Sequence, residues 1–148
     1  MAYVYYAALA IVMGVAVSVY LPMQVNGGRI LGAPALFNAV FFFFGMVTSA
    51  AVFFATGGKF AAFGRLAEVP AWLYISGIVS GLMILGSTFL IPRIGAGQFF
   101  VLLVAGQITA GVAISHFGLL QTPLDPVTLR KVLGIVAVIF GAWLVTFK

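Results

Sequence analysis

Residues 97–117 read GQFFVLLVAGQITAGVAISHF, a run without Asp, Glu, Lys or Arg. As a helix it would be about 31 Å long, matching the roughly 30 Å hydrocarbon core of a bilayer. Two residues in it are unusual for such a place. Gln107 lies ten residues from either end, and His116, the chain's single histidine, lies at the exit. A polar group near a bilayer midplane is expensive, so each needs a reason.

The rest of the chain repeats the pattern. Four further apolar segments cover 2–22, 34–57, 71–92 and 128–148. The last has 16 uncharged residues, Val132 to Phe147, and can still span if Arg130 and Lys131 snorkel. Proline stands at or beside segment edges, at 22, 34, 70, 92, 123 and 126, where helices are expected to end. Trp72 and Trp143 sit near segment ends, as interfacial anchors do. Without a basic n-region or a cleavage site, 2–22 is expected to be a retained helix. The chain therefore reads as one five-helix transmembrane domain over 1–148.

Composition agrees. The chain is 64% hydrophobic and 6% charged, against about 25% charged in soluble domains. Its seven Lys/Arg are scattered over loops and helix ends, with only Arg130 and Lys131 adjacent, so no nucleic-acid surface is expected. With no cysteine there is no disulfide framework and no thiolate metal site. A catalytic triad would need His116 beside a nucleophile and a carboxylate; Ser115 diverges from it by about 100° on a helix. Glu68 and Asp125, the two acids, both fall in loops. No enzyme activity, metal or cofactor is expected.

Each segment carries a stripe of small or polar residues. Asn38, Gly45, Ser49 and Thr56 fall within about 20° of one line. Gly77 and Gly81 share a face with Ser80 and Thr88, and Gly134, Ala137 and Gly141 lie together. Such stripes let helices approach closely in lipid, or else line a common cavity. Gly77, Gly81, Gly134 and Gly141 are the candidates for helix or dimer packing. Gln107 is the leading candidate for contact with a solute, since its amide offers two donors and an acceptor. Asn38, Thr48, Ser49 and Gly111 are candidates for the same site. The competing role for Gln107 is an interhelical hydrogen bond. His116 lies about 180° round the helix from Gln107, so it is expected at the interface rather than in that site.

Five spans put the termini on opposite sides. Lys59, Arg65, Arg130 and Lys131 fall on one side, and Arg29, Arg93 and Lys148 on the other. Orientation follows Lys/Arg asymmetry, and four against three is nearly none. Two readings stay open: a weak bias that still sets one orientation, or dual topology with two copies paired antiparallel, the arrangement many transporters build from inverted repeats.

Four stretches carry a family likeness: LPMQVNGGRILGAPAL (21–36), EVPAWLYISGIVSGLMIL (68–85), IPRIGAGQFFVLLVAGQITAGVAISHFGLL (91–120) and LRKVLGIVAVIFGAWLV (129–145). The chain resembles the YdcZ-like family, a five-helix branch of the drug/metabolite transporter superfamily. Where that pattern often carries an acid before His-Phe-Gly, this chain has Ser115. The resemblance implies a bacterial inner-membrane transporter fold, formed from single five-helix units, separate pairs or tandem fusions, and so supports an inverted homodimer. The related small multidrug resistance proteins use a glutamate in the first helix, and here that helix has no acid. The expected function is transport of a small neutral or anionic solute by alternating access at a dimer interface. The alternatives are a non-transporting scaffold or accessory subunit, and a narrow channel.

Overall fold

The computed structural model describes residues 2–147, with side chains from Val4 onward. It is all-helical among these residues. The helices are α1 Ala2–Leu31, α2 Pro34–Ala55, α3 Ile75–Ile94, α4 Ala96–His116 and α5 Leu129–Thr146. Two 3₁₀ segments, Phe60–Glu68 and Ala71–Tyr74, join α2 to α3, and a third, Leu119–Gln121, follows α4. Five spans are long and apolar enough to cross a membrane, Ala71–Ile94 including the short 3₁₀ turn before α3. Only 6% to 17% of each span's apolar window is buried inside the chain. Most of that apolar surface must therefore face lipid or another protein rather than water.

The chain divides into two units, Met1–Pro92 and Arg93–Lys148. In the first, α1 and α2 form an antiparallel hairpin. Gly32 makes the turn at φ +66°, its N–H donating to Arg29 O, and Pro34 opens α2. That is a left-handed glycine at the helix end followed by proline at the next helix start, each where its backbone preference fits. Leu21, Gln24, Val25 and Gly28 are the buried face of α1, at the i, i+3, i+4, i+7 spacing of a packed stripe. Tyr20 stacks on Phe41 at 5.6 Å. A Cβ on Gly28 would lie 3.1 Å from Pro34 Cα, and one on Gly27 would strike the Phe37 ring. The Gly27–Gly28 pair thus sets how closely the hairpin closes.

Two boundary expectations need correction. α1 does not end at Pro22 but runs to Leu31, as a helix about 45 Å long. Pro92 likewise lies inside α3. Proline removes one hydrogen bond in a helix, yet in membrane spans neighbouring protein and local adjustment make this tolerable. Here the tight packing of 21–28 on α2 holds the helix past its proline. α5 is capped by Thr128, whose Oγ accepts from Lys131 N–H at 3.5 Å. The expected last helical residue, Lys148, lies outside the described residues.

In the second unit α4 packs on α5. Gly95, at φ +81°, turns the chain into α4. Phe99 and Ala142 are its buried apolar residues.

Candidate functional site

Gln107 sits at the middle of α4 with its side chain exposed. It makes no hydrogen bond among the described residues. Gly111, one turn on, is also exposed, and a Cβ there would meet nothing within 4 Å. Thr109 turns inward on its own helix, donating to Ala105 O at 2.8 Å. The α4 face around Gln107 is therefore open, with one uncommitted amide at mid-depth.

Asn38, Thr48 and Ser49 belong to the first unit and differ among themselves. Thr48 and Ser49 are exposed and donate to Phe44 O and Gly45 O, each at 2.9 Å. This bonding occupies each hydroxyl's proton and leaves lone pairs free. Asn38 is buried, 6% exposed. Its Nδ2 donates to Gly81 O on α3 at 3.3 Å, and its Oδ1 accepts from Gln24 Nε2 at 3.5 Å. Asn38 lies about 15 Å along α2 from Thr48, so the two do not converge within the helix.

Gln24 was missed by the sequence reading, which ended α1 at Pro22 and left Gln24 in a loop. It is 2% exposed, and its Oε1 is buried without a partner. Exchanging the amide's oxygen and nitrogen would set oxygen against Asn38 Oδ1 and lose the one bond, so the orientation with Oε1 unpaired is the better one. The missed signal was the continuation of the helical stripe through 21, 24, 25 and 28. Ser87 is also buried, donating to Ile84 O at 2.6 Å.

The four glycines expected at packing contacts are mostly bare among the described residues. A Cβ at Gly77, Gly134 or Gly141 would meet nothing within 4 Å, and one at Gly81 would meet only Phe42, at 3.9 Å.

At the far end of α4 the connector folds back on the helix. Val127 N–H donates to His116 Nδ1 at 3.0 Å, and Asp125 N–H donates to Ser115 O at 2.9 Å. Lys131 Nζ donates to Pro126 O at 2.8 Å and to Asp125 O at 3.3 Å, and ion-pairs with the Asp125 carboxylate. A pocket of about 280 Å³ opens here, lined by Ile108, Gly111, Val112, Ser115, Asp125 and Lys131. It shares Gly111 with the open face beside Gln107.

The family model described as "Putative inner membrane exporter, YdcZ" matches residues 5–144. The chain belongs to this family. No curated protein and no solved structure matches it. As a YdcZ-family member it is a multi-pass inner-membrane protein of a transport family, and that family is not one of enzymes.

For this YdcZ-family chain the electrostatics are distinctive. None of the five spans contains Asp or Glu. Glu68 closes the first 3₁₀ segment, and Asp125 lies in the connector. Towards their ends the spans carry Arg29, Arg93, His116, Arg130 and Lys131; the polar groups between these are amides and hydroxyls, among them Gln24, Asn38, Gln98 and Gln107. Amides orient dipoles and donate protons in hydrogen bonds, but they neither titrate nor neutralise a cation.

Proposed function

We propose that the chain exports a small neutral or anionic solute by alternating access, working as an inverted homodimer of single five-helix domains in dual topology. One observation carries the reading: the Gln107 amide stands exposed at mid-span with no side-chain hydrogen-bond partner among the described residues of its chain. Leaving an amide unbonded in hydrocarbon costs about 4 to 8 kcal/mol on a water-to-alkane scale, and about 1 to 3 in protein mutational data. A partner copy or a solute supplies the missing bonds. Gly111 beside it gives room, and Thr48 and Ser49, whose hydroxyl lone pairs are free, are the proposed complement; Asn38, expected with them, is instead engaged by Gln24 and the Gly81 carbonyl. The acid-free spans favour a solute that needs no buried carboxylate. Gly77, Gly81, Gly134 and Gly141 are proposed to admit close helix contact, within the domain or between copies.

Gln107→Leu tests the reading in reconstituted liposomes. The variant is expected to fold and dimerise but lose solute-dependent thermal stabilisation and transport. If Gln107 is only a packing bond, stability should fall by about 1 kcal/mol while transport persists. Gln107→Glu should impair the native solute and admit cations. Proton-driven exchange of organic cations by the unmodified protein would refute the neutral-or-anionic assignment. A dry, tightly packed dimer with no solute response would instead favour a scaffold.

A further inference from the structure

We propose that residues 117–128 form a proton-released latch over the pocket at the end of α4, with His116 as the group that releases it. The bond from Val127 N–H to His116 Nδ1, 3.0 Å long, fixes the chemistry. A backbone N–H can only donate, so Nδ1 is an acceptor and the ring's proton is on Nε2. A second proton would have to enter at Nδ1. It would remove the lone pair and set one N–H against another.

The connector stores the means to move. Gly118, Leu120 and Gln121 have φ of +58°, +55° and +59°. Two consecutive non-glycine residues in the left-handed region are strained, and persist only while surrounding bonds hold them. Close to α4 the backbone turns Phe117 N–H to Ala113 O, Gly118 N–H to Ser115 O and Thr122 N–H to Leu119 O hold the chain, with Thr122 Oγ donating to Leu119 O and Ile114 O. Farther along, residues 123–127 are held by the His116 bond, Asp125 N–H to Ser115 O and the Lys131 contacts to residues 125 and 126. Two of the residues held, Ser115 and Asp125, line the pocket.

The charges around His116 would not restore the bond after protonation. α4 carries no other titratable side chain, and the 3₁₀ turn Leu119–Gln121 carries none. In the connector the one carboxylate, Asp125, is already paired with Lys131. The first turn of α5 adds two cations, Arg130 and Lys131. Among the described residues of these elements an imidazolium therefore finds no free carboxylate, and it loses its hydrogen bond. Histidine is the side chain that ordinarily changes charge between about pH 5 and pH 8, and this chain has one. The latch is closed with the neutral ring and opens as pH falls. This holds whichever solute is carried.

The chain has no cysteine, so single thiols report cleanly. Ser115→Cys places a thiol in the pocket wall, and Ala67→Cys, in the exposed 3₁₀ segment before α3, gives a reference outside the latch for the pH dependence of thiol chemistry itself. The Ser115/Ala67 labelling ratio should rise about tenfold from about pH 8 to about pH 5.5, roughly the shift that losing one hydrogen bond produces. Adding His116→Asn, whose Oδ1 replaces Nδ1 as an acceptor but does not titrate, should hold the ratio low at both pH values. Adding His116→Phe should hold it high at both. ¹⁵N-histidine spectra should show the proton on Nε2 at about pH 8. A flat wild-type ratio, a rise retained in the Asn variant, a low ratio in a folded Phe variant, or a proton on Nδ1 at high pH would each overturn the latch. None of these readouts depends on transport.

Discussion

At the scale of single residues, the spans' polar side chains divide into those with partners and those without. Asn38 is spent on its own chain: it bridges Gln24 and the Gly81 carbonyl, joining α1, α2 and α3 through one amide. Gln107 has no such use, and that difference, invisible in composition, separates a structural amide from a candidate for solute contact. The Gln24–Asn38 pair makes a prediction of its own. Asn38→Leu leaves Gln24 with both amide ends buried and unpaired, and should cost about 1 to 3 kcal/mol. Gln24→Leu removes the orphaned Oε1 along with one long bond, and should cost less than about 1 kcal/mol. The double variant should be more stable than Asn38→Leu alone, as read by thermal or denaturant unfolding in detergent. Simple additivity of the two would mean that the amides do not interact.

At the scale of elements, hydropathy and proline gave different quality of guidance. Apolar length located all five spans, because a membrane helix needs about 20 apolar residues whatever its neighbours are. Proline misplaced two ends, since Pro22 and Pro92 lie inside helices, and a membrane helix tolerates the lost hydrogen bond. Glycine stripes were legible as a pattern but not as contacts. The close approach occurs at Gly27 and Gly28, in a stretch whose loss of hydrophobicity resembled a loop. Gly28→Ala should therefore destabilise the hairpin by about 1 to 3 kcal/mol, because the added methyl meets Pro34 backbone. Gly77→Ala and Gly134→Ala meet open space, and should change monomer stability by less than about 0.5 kcal/mol. Unfolding midpoints of the three variants give the comparison. A loss of dimer in Gly77→Ala or Gly134→Ala with the fold intact would place those faces between copies.

At the scale of the whole molecule, the near balance of Lys/Arg predicts an insertion that is easily tipped. Single cysteines near each terminus should be labelled from both sides of the membrane, and labelling from one side only would exclude dual topology. Two lysines added to the loops on one side should then impose a single orientation. Membrane class, five spans, family likeness and the absence of intramembrane acid all follow from the sequence by itself, because each depends on local composition measured against a fixed bilayer thickness. The length of α1, the burial of Gln24 and Asn38, the openness around Gln107 and the His116 latch needed the tertiary structure. Each depends on a partner distant in sequence or across a turn, such as Gly81 for Asn38 and Val127 for His116. A polar side chain in a span has no fixed meaning until its hydrogen bonds are known, since the same amide is glue when bonded and a site when left free.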